Sequence, residues 1–342
     1  TIDLNLQKKV ESLLQGKKAS AVVMDVNTGE ILAMASKPDF DPNMFYSKIT
    51  KKDWQAIQKL DNPFLNRSIN SYAPGSIFKI VTSAAALQLG ILTADRQFYS
   101  KGHFKLGNFI FRDWNPAGFG WVNIEKALAY SIDTVYYELS LEMSINNLKR
   151  YANMFGLGNK TGIDLPGESR GIIPDQSWKR KYWKEIWYPG DSVNSSIGQG
   201  FVHVTPIQAT VMTAAVANGG KVLRPLIFKA ENGKNIRVKP DVIRQLQVSS
   251  RNMQIIKKGL RAVVSYGTAH KALKFSNLEV AAKTGSAEDP PNKKTHGWVV
   301  SFAPLDSPKY AITIFVQNGG HGGDVAAPIA GEIYKELFQL EK

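Results

Sequence analysis

The chain has 342 residues, no cysteine, and 43 Lys+Arg against 29 Asp+Glu, a formal net charge of +14. With 43% hydrophobic and 21% charged residues it is no disordered tail, and it has enough apolar material for one large domain or two ordinary ones. The lack of cysteine excludes disulfide scaffolds, thiolate zinc sites, iron–sulfur clusters and cysteine nucleophiles, without fixing the compartment.

In chain order, Thr1-Ile2-Asp3-Leu4 has no signal-peptide pattern and no initiator Met, which reads as a piece of a longer chain. Leu4, Leu6, Val10, Leu13 and Leu14 predict a short helix. Residues 21–26 and 30–35 are β-prone runs around Asn27-Thr28-Gly29, which predicts a hairpin. Residues 36–75, rich in Pro, Asn and Asp, read as irregular. An apolar helix is predicted from about Ser76 to Leu89, between Pro74-Gly75 and Gly90.

From about 91 to 275 the pattern is mixed, with helices near 123–155 and 205–218. Its densest basic run, Lys179-Arg180-Lys181-Tyr182-Trp183-Lys184, reads as a solvated face, and no nucleic-acid motif accompanies it. Then come three β-rich runs, 278–282, 298–303 and 310–317, and a final helix at about 325–340. No run is long and apolar enough to suggest a membrane span. The economical α+β arrangement is one antiparallel sheet of about five strands, built from both chain ends. Helices flank it and a helical lobe, about 91–275, is inserted.

Three short motifs carry chemistry. In Ser76-Ile77-Phe78-Lys79, the chain's one Ser-x-x-Lys, positions i and i+3 share a helix face, so the amine can reach the hydroxyl. Serine needs a base to become a nucleophile, and an apolar helix desolvates Lys79 towards that role. Ser76 also falls in the first helical turn, where free N–H groups can stabilise an oxyanion. Lys283-Thr284-Gly285 ends a predicted strand; its Thr and the next hydroxyl, Ser286, could grip a carboxylate, and Gly285 leaves room for a substrate backbone. A second Lys-Thr-Gly, 160–162, reads as turn chemistry. Ser131-Ile132-Asp133 lies in a mostly helical stretch and could either cap a helix or relay a proton.

In this order the set resembles the penicillin-recognising serine transpeptidases and β-lactamases. Arg112-Asp113-Trp114, Gly198-Gln199-Gly200, Tyr266-Gly267-Thr268-Ala269 and His296-Gly297-Trp298 are similar to class B penicillin-binding proteins. Asp133 resembles the elongation type, typified by penicillin-binding protein 2; division types usually carry Asn there. The resemblance covers nearly the whole chain and implies a penicillin-binding, β-lactamase-like fold over 1–342, acting in peptidoglycan cross-linking. An N-terminal membrane anchor and pedestal would then be missing from the sequence.

The resemblance further implies that Ser76 attacks the D-Ala-D-Ala carbonyl of a stem peptide while Lys79 takes its proton. Backbone N–H groups of Ser76 and Ser286 form the oxyanion hole. Ser131, with Lys283 nearby, protonates the departing D-alanine. Asp133, Thr284, Gly285 and Ser286 bind substrate. Implied partners are stem peptides, β-lactams, a membrane glycan polymerase and rod-shape scaffold proteins, at the periplasmic face of the inner membrane. No nucleic acid, cofactor or metal is expected; some elongation-type relatives carry zinc, but five His and no Cys make a site here improbable, and His296 and His321 read as structural. Asp133 is a departure in chemistry: a carboxylate cannot donate to substrate and would raise the pKa of Lys79 and Lys283. It is therefore expected to turn away and cap a helix. A β-lactamase, a D,D-carboxypeptidase and an inactive cell-wall binder remain the alternatives.

Overall fold

The computed structural model describes residues 1–46, 48–231, 234–235, 239–291 and 294–340. The hairpin β1 (Ala19–Asp25) and β2 (Ile31–Lys37) joins three late strands, β3 (Ala281–Ala287), β4 (His296–Ala303) and β5 (Tyr310–Val316). They form one antiparallel sheet in the order β3-β4-β5-β1-β2. Its centre joins the two ends of the chain, with Ala19 opposite Val316 and Met24 opposite Ala311.

Both faces of the sheet are covered, so β1, β4 and β5 are buried almost throughout rather than alternating with polar residues. Alternate side chains still go to different cores. Val22, Met24, Trp298, Val300 and Phe315 share one core with the helical lobe. Ala21, Val23, Val299, Ile312 and Ile314 share the other with helix α1 (Leu4–Leu13) and the C-terminal helix Ala327–Phe338.

Between the two parts of the sheet run α2 (Lys51–Gln58), α3 (Lys79–Gln88), α4 (Ile124–Ala129), α5 (Asp133–Glu142), α6 (Ile145–Met154), α7 (Gln176–Trp183), α8 (Pro189–Ser196), α9 (Pro206–Ala217) and α10 (Ser250–Ser265). All twelve residues of α9 are buried, and the helix packs on β1, β4 and β5. Its start is a capping box, Thr205 with Gln208, and Thr210 meets Thr313 across the core at 2.8 Å. Helix α10 packs on α4 and β3. Among the described residues no helix is long and apolar enough to cross a membrane.

Four expectations need correction. The 36–75 stretch contains α2, whose apolar residues are few but whose start is capped by Thr50. The predicted 76–89 helix begins as a tight 3-10 turn, Gly75–Phe78, before α3. The Lys-Thr-Gly strand starts later than its apolar run, because the small residues Gly285 and Ser286 continue the pairing, opposite Trp298 and Gly297. The basic run is not uniformly solvated: Lys179 is buried, 2.7 Å from Asp191 and over the Tyr188 ring.

Trp298 fastens the sheet to the segment leading into the 3-10 turn. It is fully buried, packs on Phe315 and donates from Nε1 to the Ala73 carbonyl at 2.9 Å. Trp298→Ala is expected to cost about 3–5 kcal/mol. Urea unfolding followed by circular dichroism checks this; a loss below about 1 kcal/mol would contradict the anchoring.

Candidate active site

Three backbone segments meet where β3 passes the 3-10 turn. Gly75 has φ +56°, and a Cβ there would lie 2.7 Å from the Ser286 carbonyl oxygen. Only glycine admits this approach, which brings Ser76 beside the Lys-Thr-Gly strand. The Gly75 N–H donates to the Gly198 carbonyl at 2.9 Å, and Gln199 Nε2 donates to the Ser286 carbonyl at 3.3 Å. A hollow of about 580 Å³ adjoins this junction, lined among others by Tyr72, Asn194, Gln199 and His203.

Lys79 is one turn beyond Ser76, and its side chain is wholly buried. Its ammonium is held from the α4–α5 turn. It donates to the Ser131 carbonyl at 2.8 Å, lies 3.3 Å from Ser131 Oγ, and pairs with Asp133 Oδ1 at 2.6 Å. The Tyr136 ring lies 5.1 Å from it. An ammonium out of water requires such partners. Asp133 thus does not turn away: it is the counter-charge of Lys79.

Helix α5 is instead capped by Asp113, brought from a loop. Asp113 Oδ2 accepts from the Thr134 N–H at 3.1 Å and lies 3.2 Å from the Thr134 hydroxyl; Oδ1 accepts from the Trp114 N–H. Burial and the neighbouring Asp133 charge push the Asp113 carboxyl up.

Ser131 has φ +58°, a left-handed conformation uncommon for a residue with a side chain. Trp114 Nε1 donates to the adjacent Tyr130 carbonyl at 2.9 Å, and Phe119 stacks on Tyr130. The strained turn is therefore held from outside, as strain at functional sites commonly is. It points the Ser131 carbonyl at Lys79.

Lys283 is the second buried amine, donating to the Thr284 carbonyl at 3.0 Å. Burial pushes its pKa well below the ordinary lysine value; the Lys79 charge adds to the fall and Asp133 opposes it. Thr284 and Ser286 alternate with it on the strand. Thr284 Oγ1 lies 2.6 Å from Thr268 Oγ1, while Ser286 Oγ accepts from the Gly322 N–H at 3.3 Å.

The structure thus brings Ser76, Lys79, Ser131, Asp133, Lys283, Thr284, Gly285 and Ser286 to one place. The other Lys-Thr-Gly lies elsewhere: the Thr161 N–H and hydroxyl bind Glu168 in a turn. Sequence reading gave Asp113, Gln199 and Thr268 no role beyond the resemblance, since each acts through tertiary contact rather than spacing. Their place in the quoted motifs was the available signal.

Folding strips a proton from Lys283 that the unfolded chain would hold near its ordinary value of 10.5. Stability is therefore expected to rise with pH from the depressed folded value up to the ordinary one, and to be lost as pH falls through the folded value. Lys283→Met should flatten this dependence. Denaturation midpoints of both proteins across pH check it; parallel curves would contradict it.

Residues 19–335 match the family described as "Penicillin binding protein transpeptidase domain". "Peptidoglycan D,D-transpeptidase MrdA" of Escherichia coli strain K12 is 33% identical, covering 99% of this chain and 56% of that protein. The Acinetobacter baumannii protein of the same name is also 33% identical, covering 95% and 52%. The chain thus spans about half the length of these curated relatives. Pseudomonas aeruginosa PBP2, solved in complex with WCK 5153, superposes with TM-score 0.92 at 34% identity, covering 99% of this chain and 75% of that one. Helicobacter pylori PBP2, solved in complex with MreC, gives 0.90 at 33%, covering 99% and 63%. With its motifs gathered in one site and its length matched almost end to end, the chain belongs to the penicillin-binding protein transpeptidase domain family.

Proposed function

We propose that this domain is a serine D,D-transpeptidase that cross-links peptidoglycan stem peptides during cell elongation and is acylated by β-lactams. The observation that carries the reading is the Lys79 ammonium held by both ends of Ser-x-Asp, with the Ser76 turn pressed on the Ser286 backbone. Relatives named for this reaction support it.

In the proposed reaction Ser76 Oγ bonds to the carbonyl carbon between the two terminal D-alanines. Its proton passes to Lys79 after the Lys79 ammonium has given one up to Asp133, its partner at 2.6 Å. The tetrahedral oxyanion lies between the Ser76 and Ser286 N–H groups. The carbon–nitrogen bond breaks, and the departing D-alanine nitrogen takes a proton through Ser131, with Lys283 adjoining. Thr284 and Ser286 hold the terminal carboxylate, and Gly285 lets the donor backbone lie along β3. An amine of a second stem then attacks the ester, and Ser76 recovers its proton.

The same reading places the domain at the periplasmic face of the inner membrane, beside a glycan polymerase and rod-shape scaffold proteins. A relative solved with MreC, and another solved in a peptidoglycan synthase complex, support those partners. The basic net charge suits an anionic membrane and carboxylate-bearing substrates better than nucleic acid.

Incubation with fluorescent penicillin, denaturation and gel electrophoresis test the reaction class. Stable covalent label is expected, reduced by about a thousandfold or more in Ser76→Ala. Rapid loss of label would indicate a β-lactamase, and an unlabelled wild type a binding module. A D-Ala-D-Ala stem offered with an amine acceptor should give cross-linked product; hydrolysis alone would indicate a carboxypeptidase. The labelling rate is expected to fall as pH drops through the depressed Lys283 value, with Lys283→Arg slow at every pH. An unchanged acid limb in Lys283→Arg would remove Lys283 from the proton path.

A further inference from the structure

The loop after β5 reads Asn318-Gly319-Gly320-His321-Gly322-Gly323. His321 is the one residue between 319 and 323 that carries a side chain. The loop is pressed on the sheet: a Cβ on Gly322 would lie 2.1 Å from the Trp298 carbonyl oxygen and 2.4 Å from that of Gly285. This close approach fixes His321 beside the Lys-Thr-Gly strand. Its Nδ1 is 3.3 Å from Ser286 Oγ, and the imidazole is exposed. With Nδ1 turned to Ser286, Nε2 is on the far side of the ring.

A proton count shows what the pair can do. The Ser286 hydroxyl has one proton, and the Gly322 N–H occupies one of its lone pairs. If the ring donates from Nδ1, Ser286 keeps its proton for a ligand. If the ring accepts at Nδ1, Ser286 spends its proton there and the ring offers Nε2–H outward instead. Either tautomer leaves a donor for an acceptor at this end of the strand, and an imidazolium leaves two. The acceptor such a site suits is a carboxylate.

Resting on the transpeptidase reading, we propose that His321 is a specificity-determining residue that contacts the terminal carboxylate of the donor peptide, or the matching carboxylate of a β-lactam, together with Ser286 and Thr284. It thereby favours substrates whose carboxylate is free. Ser76, Lys79 and the acyl-transfer steps are unchanged by this assignment.

The test compares second-order acylation by benzylpenicillin and by its methyl ester, which lacks the anion, in wild type, His321→Ala and His321→Gln. His321→Ala is expected to lose about tenfold on the free acid with little change on the ester, so the acid-to-ester preference falls about tenfold. His321→Gln keeps an amide donor and should recover part of that preference. Equal losses on both probes would make His321 a mere support for Ser286 and overturn the proposal, as would an unaltered preference. Thermal unfolding of each variant separates a misfolded loop from a lost contact. A wild type that benzylpenicillin fails to acylate refutes the transpeptidase reading itself; a labelled wild type with unchanged variants refutes the histidine assignment alone.

Discussion

The site is organised around one buried positive charge. Taking the Lys79 ammonium out of water is tolerable only where several acceptors converge on it. Two of them, the Ser131 carbonyl and the Asp133 carboxylate, come from a turn far along the chain. That turn needs Ser131 in a left-handed conformation and α5 capped by Asp113. The Trp114 indole on the Tyr130 carbonyl supports it from outside. One ammonium thus imposes geometry on the helical lobe, and the lobe presents the hydroxyl of the second motif to the first.

The second amine differs in kind. Among the described residues Lys283 has no carboxylate at ion-pair distance; it lies along its own strand, with burial and Lys79 both opposing its charge. Two lysines in one site are therefore not equivalent. Asp133 matters to both: it pairs with Lys79 at 2.6 Å and moderates the fall of Lys283. This gives a physical reason for a carboxylate at position 133, where an amide would leave the Lys79 ammonium without a counter-charge.

Much of this was legible in the sequence because it rests on local rules. The hairpin at 21–35 follows from β-prone runs around Asn-Thr-Gly, and the apolar periodicity marks α3 and the C-terminal helix. The eight motif residues were identified by type and order. What escaped was fixed by partners distant in sequence. Asp133 looked like a helix cap because its neighbours are helical, but the ammonium outcompetes a few N–H groups for its charge. The cap came from Asp113, twenty residues earlier, which no spacing rule connects to α5. Lys179, in a run that reads as solvated, is buried by aromatic rings that arrive from Tyr188 and Phe201. Strand β3 was placed too early because Gly285 and Ser286 have poor strand propensity, which pairing to β4 overrides.

The central pairing of β1 with β5 has a consequence for biogenesis. Contacts between distant parts of a chain form slowly, because the entropy of closing the intervening loop must be met first. Here the middle of the sheet cannot zip until the strand ending at Val316 has been made. Until then β1 and β2 form a lone hairpin with apolar residues on both faces, a species prone to aggregate. Ser76 emerges early in synthesis, yet the strand against which its turn packs emerges late. Assembly of the site is therefore coupled to closure of the whole domain.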